Sequence, residues 1–384
     1  MSIIYLDHAA SSWPKPPEVI QAMTSCIEET GANPGRGSHS MAVKASRILF
    51  EGRSLLARLF GIDNPIDVVF TSNATASLNL AIKGFVREKD HVICTPMEHN
   101  SVRRPLEYLR KEKKIELTYL QADEKGEICL DEAVRAFRSN TTLFVCSHSS
   151  NLLGTIQPID KFAEMCRRNG VKLLVDAAQT AGTVPIDVQT MGIDMLAFPG
   201  HKGLLGPQGT GGLYISSEIE LEPILHGGTG SRSEDIDQPS VRPDRYEAGT
   251  PNTVGVAGLS AAVKLIVRET VEAIHTKEWT LTQQMMQGLL EIPGVRLLGP
   301  DLGVDKTGIV SFVLEGADSS EIAFQLDRNY QIAVRSGFHC TPLGHQTAGT
   351  TTTGAVRASV GYYSTADQVN YLIQAMKEIS QSYK

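Results

Sequence analysis

Lys202 lies in AFPGHKGLLGPQGTGGLYI, directly after an apolar run and between Gly200 and Gly203. Glycines beside a lysine let the backbone approach a ligand closely, which a surface charge does not need. A lysine sheltered there can lose its proton near neutral pH, and the neutral amine can then attack an aldehyde. A solvated loop lysine is the plain alternative for this segment alone. Asp176 closes a second apolar run, LLVDAAQ. A carboxylate there is costly unless it is paired, although capping the following helix would also use it. Pyridoxal phosphate would satisfy both residues: it brings an aldehyde for the amine and a pyridine nitrogen that an acid keeps protonated. A third group of interest is Cys340, in RSGFHCTPLGHQTAGTTTTG, whose Gly, Thr and His content reads as a loop.

These groups need a scaffold. From about residue 40 to 215 the chain alternates helical patterns with the apolar runs IDVVFTS, DHVICTP, IELTYL, TLFVCSHS, VKLLVDAAQ, MLAFPG and GGLYIS. Short runs of this kind, punctuated by Gly, Pro, Ser or Asp, predict strands buried on both faces. DKFAEMCRRNG, amphipathic and closed by a Gly, predicts a helix between two of them. Alternating strands and helices imply an α/β fold with a mainly parallel sheet covered on both faces. Ligands collect at the carboxyl ends of such strands. Thr71 to Thr75, Glu98, His99, Asn100, Asn151, Asp176, Gln179, His201 and Lys202 all follow those ends. A long helical pattern over 251–291 leads into a second unit, with strands in VRLLGP, TGIVSFVLEG, IAVRSG and AVRASVGYY. A helix in SSEIAFQLDRN is capped by Asp318 or Ser319, and a last helix starts near 365.

The 384 residues imply a large and a smaller domain. We expect a cofactor-binding domain over 1–255 and a small C-terminal domain over 256–384, with the first ~15 residues packing on the small one. The 41% hydrophobic and 21% charged residues are those of an ordinary globular protein. The net charge of −7, without a basic block, gives nucleic-acid binding no support. No apolar run is long enough to span a bilayer, and the start lacks a basic region followed by an apolar one, so a cytoplasmic protein is expected. None of the six cysteines forms a CxxC pair, so no metal site is indicated. GPQGTGG does not follow the strand–GxGxxG–helix order of a nicotinamide site.

VDAAQTAG, FPGHKGLLGPQGTGGLY, YEAGTPNT, RSGFHC and RASVGYYST, in that order, resemble the class V aminotransferase superfamily. The closer resemblance is to its cysteine desulfurase and selenocysteine lyase branch, of the group II type. It runs from YLDHAAS to the last helix. It implies the pyridoxal-phosphate-dependent transferase fold, type I: a large domain with a mainly parallel seven-stranded sheet and a smaller α+β C-terminal domain. It also implies roles. Lys202 would carry the cofactor as an imine. His99 would stack on the ring and relay protons. Asp176 would pair with the pyridine nitrogen, and Gln179 would bond the ring phenolate. Asn151 would lie near the ring and the substrate carboxylate. Ala74 and Thr75 would hold the phosphate at a helix N-terminus, with His201 beside them. Thr250 would reach the phosphate of a neighbouring subunit, which implies a homodimer. Arg357 would fork the substrate α-carboxylate, and Cys340 would take the sulfur of L-cysteine as a persulfide, leaving alanine.

Some positions depart from the pattern. Pro199 stands where Ser or Thr is usual, Asn100 where a second His is common, and the 341–356 stretch is Thr-rich. The attack by Cys340 needs a thiolate, toward which His339 and Arg335 could contribute charge. For His339 a solvent-facing loop position is the alternative, and for Arg335 an ion pair at the loop's base. The remaining readings are a selenocysteine lyase, another class V enzyme such as an aminotransferase, and a non-catalytic scaffold that passes sulfur to an acceptor protein.

Overall fold

A computed structural model describes residues 3–35, 37–232 and 234–383. Its strands are β1 (Ile4–Tyr5), β2 (Val68–Thr71), β3 (His91–Cys94), β4 (Glu116–Tyr119), β5 (Thr141–Ser147), β6 (Lys172–Asp176), β7 (Met195–Pro199), β8 (Gly211–Ile215), β9 (Val295–Leu298), β10 (Ile309–Leu314), β11 (Ile332–Ala333), β12 (Arg335–Gly337) and β13 (Ala355–Ser359). All seven apolar runs of the first half are strands of one sheet, in the order β2-β8-β7-β6-β5-β3-β4. Only β8 runs against the others.

Side-chain alternation explains why these runs read as continuously apolar. Phe144, Leu173, Val175, Leu196 and Phe198 point to one face and join one core. Leu143, Val145, Leu174, Met195 and Ala197 point to the other face and join a second core. Both faces are therefore dry, as a covered parallel sheet requires. The first face is covered by α1 (Pro17–Thr30), α2 (Ser40–Phe60), α6 (Ile159–Asn169) and α7 (Thr253–Glu269), with α5 (Leu130–Arg135) at its margin. The second is covered by α3 (Ala74–Phe85) and α4 (Asn100–Glu112).

The C-terminal strands form an antiparallel sheet, β12-β13-β10-β9. Its core takes in α8 (Val271–Leu290), α9 (Ser319–Tyr330) and α11 (Ala366–Ser380). Asp318 caps α9 by accepting from Ser320 N. β1 pairs in parallel with β11 as a separate two-stranded sheet, and Asp7 bridges to Ser359 of β13, so residues 4–7 lie beside the smaller sheet.

Two sequence expectations are corrected. The helical pattern of 251–291 is two helices, broken at Thr270 with φ 67°. Leu259 and Val263 of α7 join the core of the large sheet, whereas Leu281 and Met285 of α8 join that of the small one. The break lets one apolar pattern serve two cores. The Cys340 region is also more than a loop: it contains β12 and a short helix, α10 (Pro342–Thr347). Pro342 at its first position supplies a preset φ and gives up no needed N–H, so the Gly- and Thr-rich composition hid a helix start.

A buried ion pair ties the edge of the large sheet to the segment that carries Thr250. Arg53 Nη1 and Nη2 donate to the two oxygens of Glu247 at 2.7 and 2.5 Å. Phe70 N donates to Glu247 at 2.6 Å, and Arg53 lies over the Phe70 ring. Removing one partner leaves a charge stranded in the interior. Glu247→Ala is therefore expected to cost about 3–5 kcal/mol, read as a lower midpoint in urea denaturation.

Candidate active site

The carboxyl ends of β2, β3, β5, β6 and β7 open on one cavity of about 240 Å³. It is lined by Ala74, Thr75, His99, Asn151, Asp176, Gln179, His201, Lys202 and Arg357, and also by Arg335 and His339. The structure thus gathers all the predicted site residues except Thr250 and Cys340.

At one end is the start of α3. Asn73 caps it by accepting from Ala76 N at 2.9 Å. Ala74 and Thr75, the first residues of the helix, line the cavity, and their N–H groups have no intrahelical partner, so an anion would be stabilised there. Thr75 Oγ1 and Ser101 Oγ are 2.7 Å apart, and Ser101 Oγ is 2.8 Å from His99 Nδ1. Ser101 N donates to that same Nδ1, at 3.1 Å, so the ring carries its proton on Nε2. Burial, then the cations Lys202 and Arg335, push His99 down to about 4, so the ring is neutral at working pH.

Asp176, at the tip of β6, is 4% exposed. One oxygen accepts from Ala178 N at 2.9 Å, and the other has no protein donor among the described residues. Burial raises it to about 6, against the pull of the Ala178 N–H and of Lys202. The carboxyl that reads as a possible cap thus keeps one oxygen for a ligand. Gln179 donates to Ala9 O at 3.1 Å.

Lys202 follows β7 on a peptide held from four sides. The His201 carbonyl accepts from Ser12 N at 3.0 Å, Ser12 Oγ at 3.1 Å, Ser11 Oγ at 3.3 Å and Lys15 Nζ at 2.9 Å. The Lys202 amine itself has no hydrogen-bond partner among the described residues. Burial, then Arg357, lower it to about 8, while Asp176 pulls the other way. The neutral amine is the nucleophile. Uptake of pyridoxal phosphate by the cofactor-free protein should therefore speed up as pH rises through about 8 and then level off, which stopped-flow absorbance would follow.

Arg357 is 1% exposed and spans the two sheets. It donates to Asp7 Oδ1 through Nη2 and to Asn151 O through Nη1, both at 2.9 Å. Its Nε has no partner, which leaves a donor for a carboxylate. Asp7 was not among the candidates; its only signal was its place at the end of YLD, opposite the last strand of the small sheet. Ser101 was equally passed over, although it stands in the MEHNS motif itself.

Cys340 sits beside the cavity, half-buried. His339 and Cys340 both have left-handed backbone, φ 47° and 59°, a strain for non-glycine residues that over-determined sites sustain. Three bonds hold the turn: Asn151 Nδ2 to His339 O at 2.6 Å, Asn100 N to Cys340 O at 2.8 Å, and Thr341 Oγ1 to Met97 O at 3.3 Å. Arg335 Nη2 donates to Cys340 Sγ at 3.7 Å. Arg335 has no carboxylate partner among the described residues, so the ion-pair alternative is not what is seen.

His339 is corrected. It is buried, bonded through Nε2 to Ala355 O at 3.0 Å and stacked on His345. Burial, then Arg357, push it to about 3, so it is neutral and brings no positive charge to the thiol. Thr250 lies in a different cavity, with Thr71, Ser72 and Thr210, and does not reach the Lys202 cavity of its own chain.

Pyridoxal phosphate fits this donor set. A helix N-terminus suits the phosphate, an unpaired Asp176 oxygen the pyridine nitrogen, a partnerless amine the aldehyde, and an orphaned Arg357 Nε a substrate carboxylate.

The class-V aminotransferase family model matches residues 4–372. A probable cysteine desulfurase of Methanothermobacter thermautotrophicus is 36% identical, over 98% of this chain and 94% of that one. One of Synechocystis is 33% identical, over 98% and 90%. Among solved structures, the apo cysteine desulfurase of Thermococcus onnurineus superposes with TM-score 0.93 at 33% identity, over 99% of this chain and 95% of that one. The Escherichia coli cysteine desulfurase CsdA gives 0.90 at 26% identity, over 100% and 96%. The seven-stranded α/β layout around the cavity is thus that of fold type I, and the chain belongs to the pyridoxal-phosphate-dependent class V aminotransferase family.

Proposed function

We propose that the protein is a cysteine desulfurase, converting L-cysteine to L-alanine and leaving the sulfur on Cys340 as a persulfide. The observation that carries this reading is the link between two sites. Arg335 lines the cavity of Lys202 and Asp176 and donates to the thiol sulfur of Cys340.

Asp176 would meet the pyridine nitrogen, Ala74, Thr75 and His201 would hold the phosphate, and His99, Gln179 and Asn151 would hold the ring. When bound, pyridoxal phosphate supplies the electron sink that makes the substrate α-proton acidic. Arg357 holds the α-carboxylate, its guanidinium fixed in plane by Asp7 and the Asn151 carbonyl. Lys202, as a free amine, takes the α-proton on Nζ. The Cys340 thiolate attacks the substrate sulfur: an S–S bond forms, the C–S bond breaks, and its electron pair stays on the substrate carbon, which takes a proton to become the methyl group of alanine. His99 Nε2–H is a proton carrier within the cavity. Arg335 Nη2, which donates to Cys340 Sγ, holds the sulfur beside the cavity, a contact that His339 does not make.

The protein acts as a homodimer, with Thr250 of each subunit completing the partner's phosphate site. Its working compartment is the cytoplasm, where Cys340 stays reduced; all six cysteines are free thiols. No helix among the described residues is long and apolar enough to cross a membrane. The persulfide is handed to an acceptor protein. The larger unit extends to the Thr270 break and the smaller one follows it, since α7 packs with the large sheet.

The test is turnover. Protein loaded with pyridoxal phosphate should release equal amounts of alanine and sulfide from L-cysteine under a thiol reductant. Turnover of L-selenocysteine alone would replace the reading with a selenocysteine lyase, and transamination without sulfide would sink it.

A further inference from the structure

A second cavity lies behind Lys202. It holds about 40 Å³ and shares Ala9, Gln179 and Lys202 with the larger one, so the lysine stands in the wall between them. The rear cavity lies between the two sheets: Thr183 and Lys202 stand in turns after β6 and β7 of the large one, Thr307 precedes β10 and Ser359 ends β13 of the small one, and Glu278 comes from α8. Its volume admits a few waters, and Ser12, Thr183, Thr307 and Ser359 offer them polar atoms in a mixed lining.

Glu278 is 6% exposed, and its carboxyl makes no hydrogen bond or ion pair among the described residues. Thr282 takes only its backbone carbonyl. Gly308 makes room for it: a Cβ there would stand 3.2 Å from Glu278 Oε2 and 3.0 Å from Val360 O. A buried carboxyl without a protein partner costs stability unless water or a ligand meets it. The other titratable groups of this cavity are His8, Lys202 and Tyr362, and on its own helix Lys277 donates to Tyr362 O. His8 is neutral, held near 4 by burial, so Lys202 is the proton-exchanging cation of the cavity.

We propose that Glu278 is a positioning residue that stores a proton for Lys202, exchanging it with Nζ through water from the face opposite the substrate. In this step the Glu278 O–H bond breaks and an N–H bond forms on Nζ. The intervening water gives one proton and takes another, and nothing is oxidised or reduced. The reverse transfer lets the lysine discard the α-proton it has taken from the substrate. The two groups are matched for this exchange: burial raises Glu278 to about 8, and Lys202 is lowered to about 8. Matched groups pass a proton in either direction at little cost.

The inference rests on the proposed use of Lys202, and the test separates the two. Uptake of pyridoxal phosphate by the cofactor-free protein is followed against pH for wild type and Glu278→Gln. An ionised Glu278 across the shared cavity favours the protonated amine, so its loss is expected to lower the midpoint. An unchanged midpoint overturns the role of Glu278 while leaving the cofactor site intact. No uptake by either protein overturns the Lys202 assignment, and the present proposal with it. Should Glu278→Gln not fold, infrared spectroscopy of the wild type decides. A carboxylic-acid band is expected to outlast the ionisation of Asp176 and Glu98 and to fade in the interval where Lys202 becomes nucleophilic; absence of that band overturns the proposal.

Discussion

Lys202→Ala is expected to yield a folded protein that binds pyridoxal phosphate without a covalent link and turns cysteine over about 10³-fold more slowly or worse. Folding should survive, because the lysine amine has no partner whose loss would leave a buried group stranded, and the His201 carbonyl keeps its four donors. Binding should survive in part, because Asp176 and the start of α3 are untouched. Two duties disappear: capture of the aldehyde and removal of the α-proton. Absorbance in the visible region checks the first, and exchange of the substrate α-hydrogen with deuterated solvent checks the second. Retention of exchange at the wild-type rate would assign the proton to another base.

Cys340→Ser is expected to separate the two halves of the reaction. Cofactor uptake and α-hydrogen exchange should stay within about twofold of wild type, since Cys340 does not line the cavity. Sulfide release should fall by about 10³-fold or more, because a serine hydroxyl is a far weaker nucleophile toward sulfur than a thiolate. The backbone supports the comparison: Ser can keep the Asn100 N to carbonyl bond that anchors this turn. Mass spectrometry after a single turnover should find one added sulfur on wild type and none on the variant. Sulfide release at an undiminished rate would make Cys340 a bystander and favour direct cleavage of the C–S bond.

The sequence displayed the sheet clearly because burial on both faces forces uninterrupted apolar runs, and five of the seven, β2, β3, β5, β6 and β7, lead to residues that line the cavity. Asp176 and Lys202 were legible for that reason. The break at Thr270 was not: a helical period continues through 251–291, and only the assignment of Leu259 and Leu281 to different cores reveals why the backbone turns there. His339 misled because proximity in sequence to Cys340 says nothing of ring direction; its Nε2 turns to Ala355 O on β13. Asp7 and Glu278 stayed hidden because their meaning depends on contacts made far along the chain.

The joining of the first residues to the last strand has a consequence for how the protein is born. Ala9 N bonds Ser359 Oγ across 350 residues of chain, and Asp7 holds Arg357. Asp7 and Ala9 must therefore leave the ribosome long before β13 and wait for it without their final partners. The latch on His201 from Ser11, Ser12 and Lys15 belongs to the same waiting segment. Until β13 has been made, Arg357 is missing and Asp7 has no partner, so the carboxylate clamp forms only after that strand. Such long-range closure also slows folding relative to local contacts, so the same seam that completes the clamp is where a nascent chain stays longest exposed to aggregation.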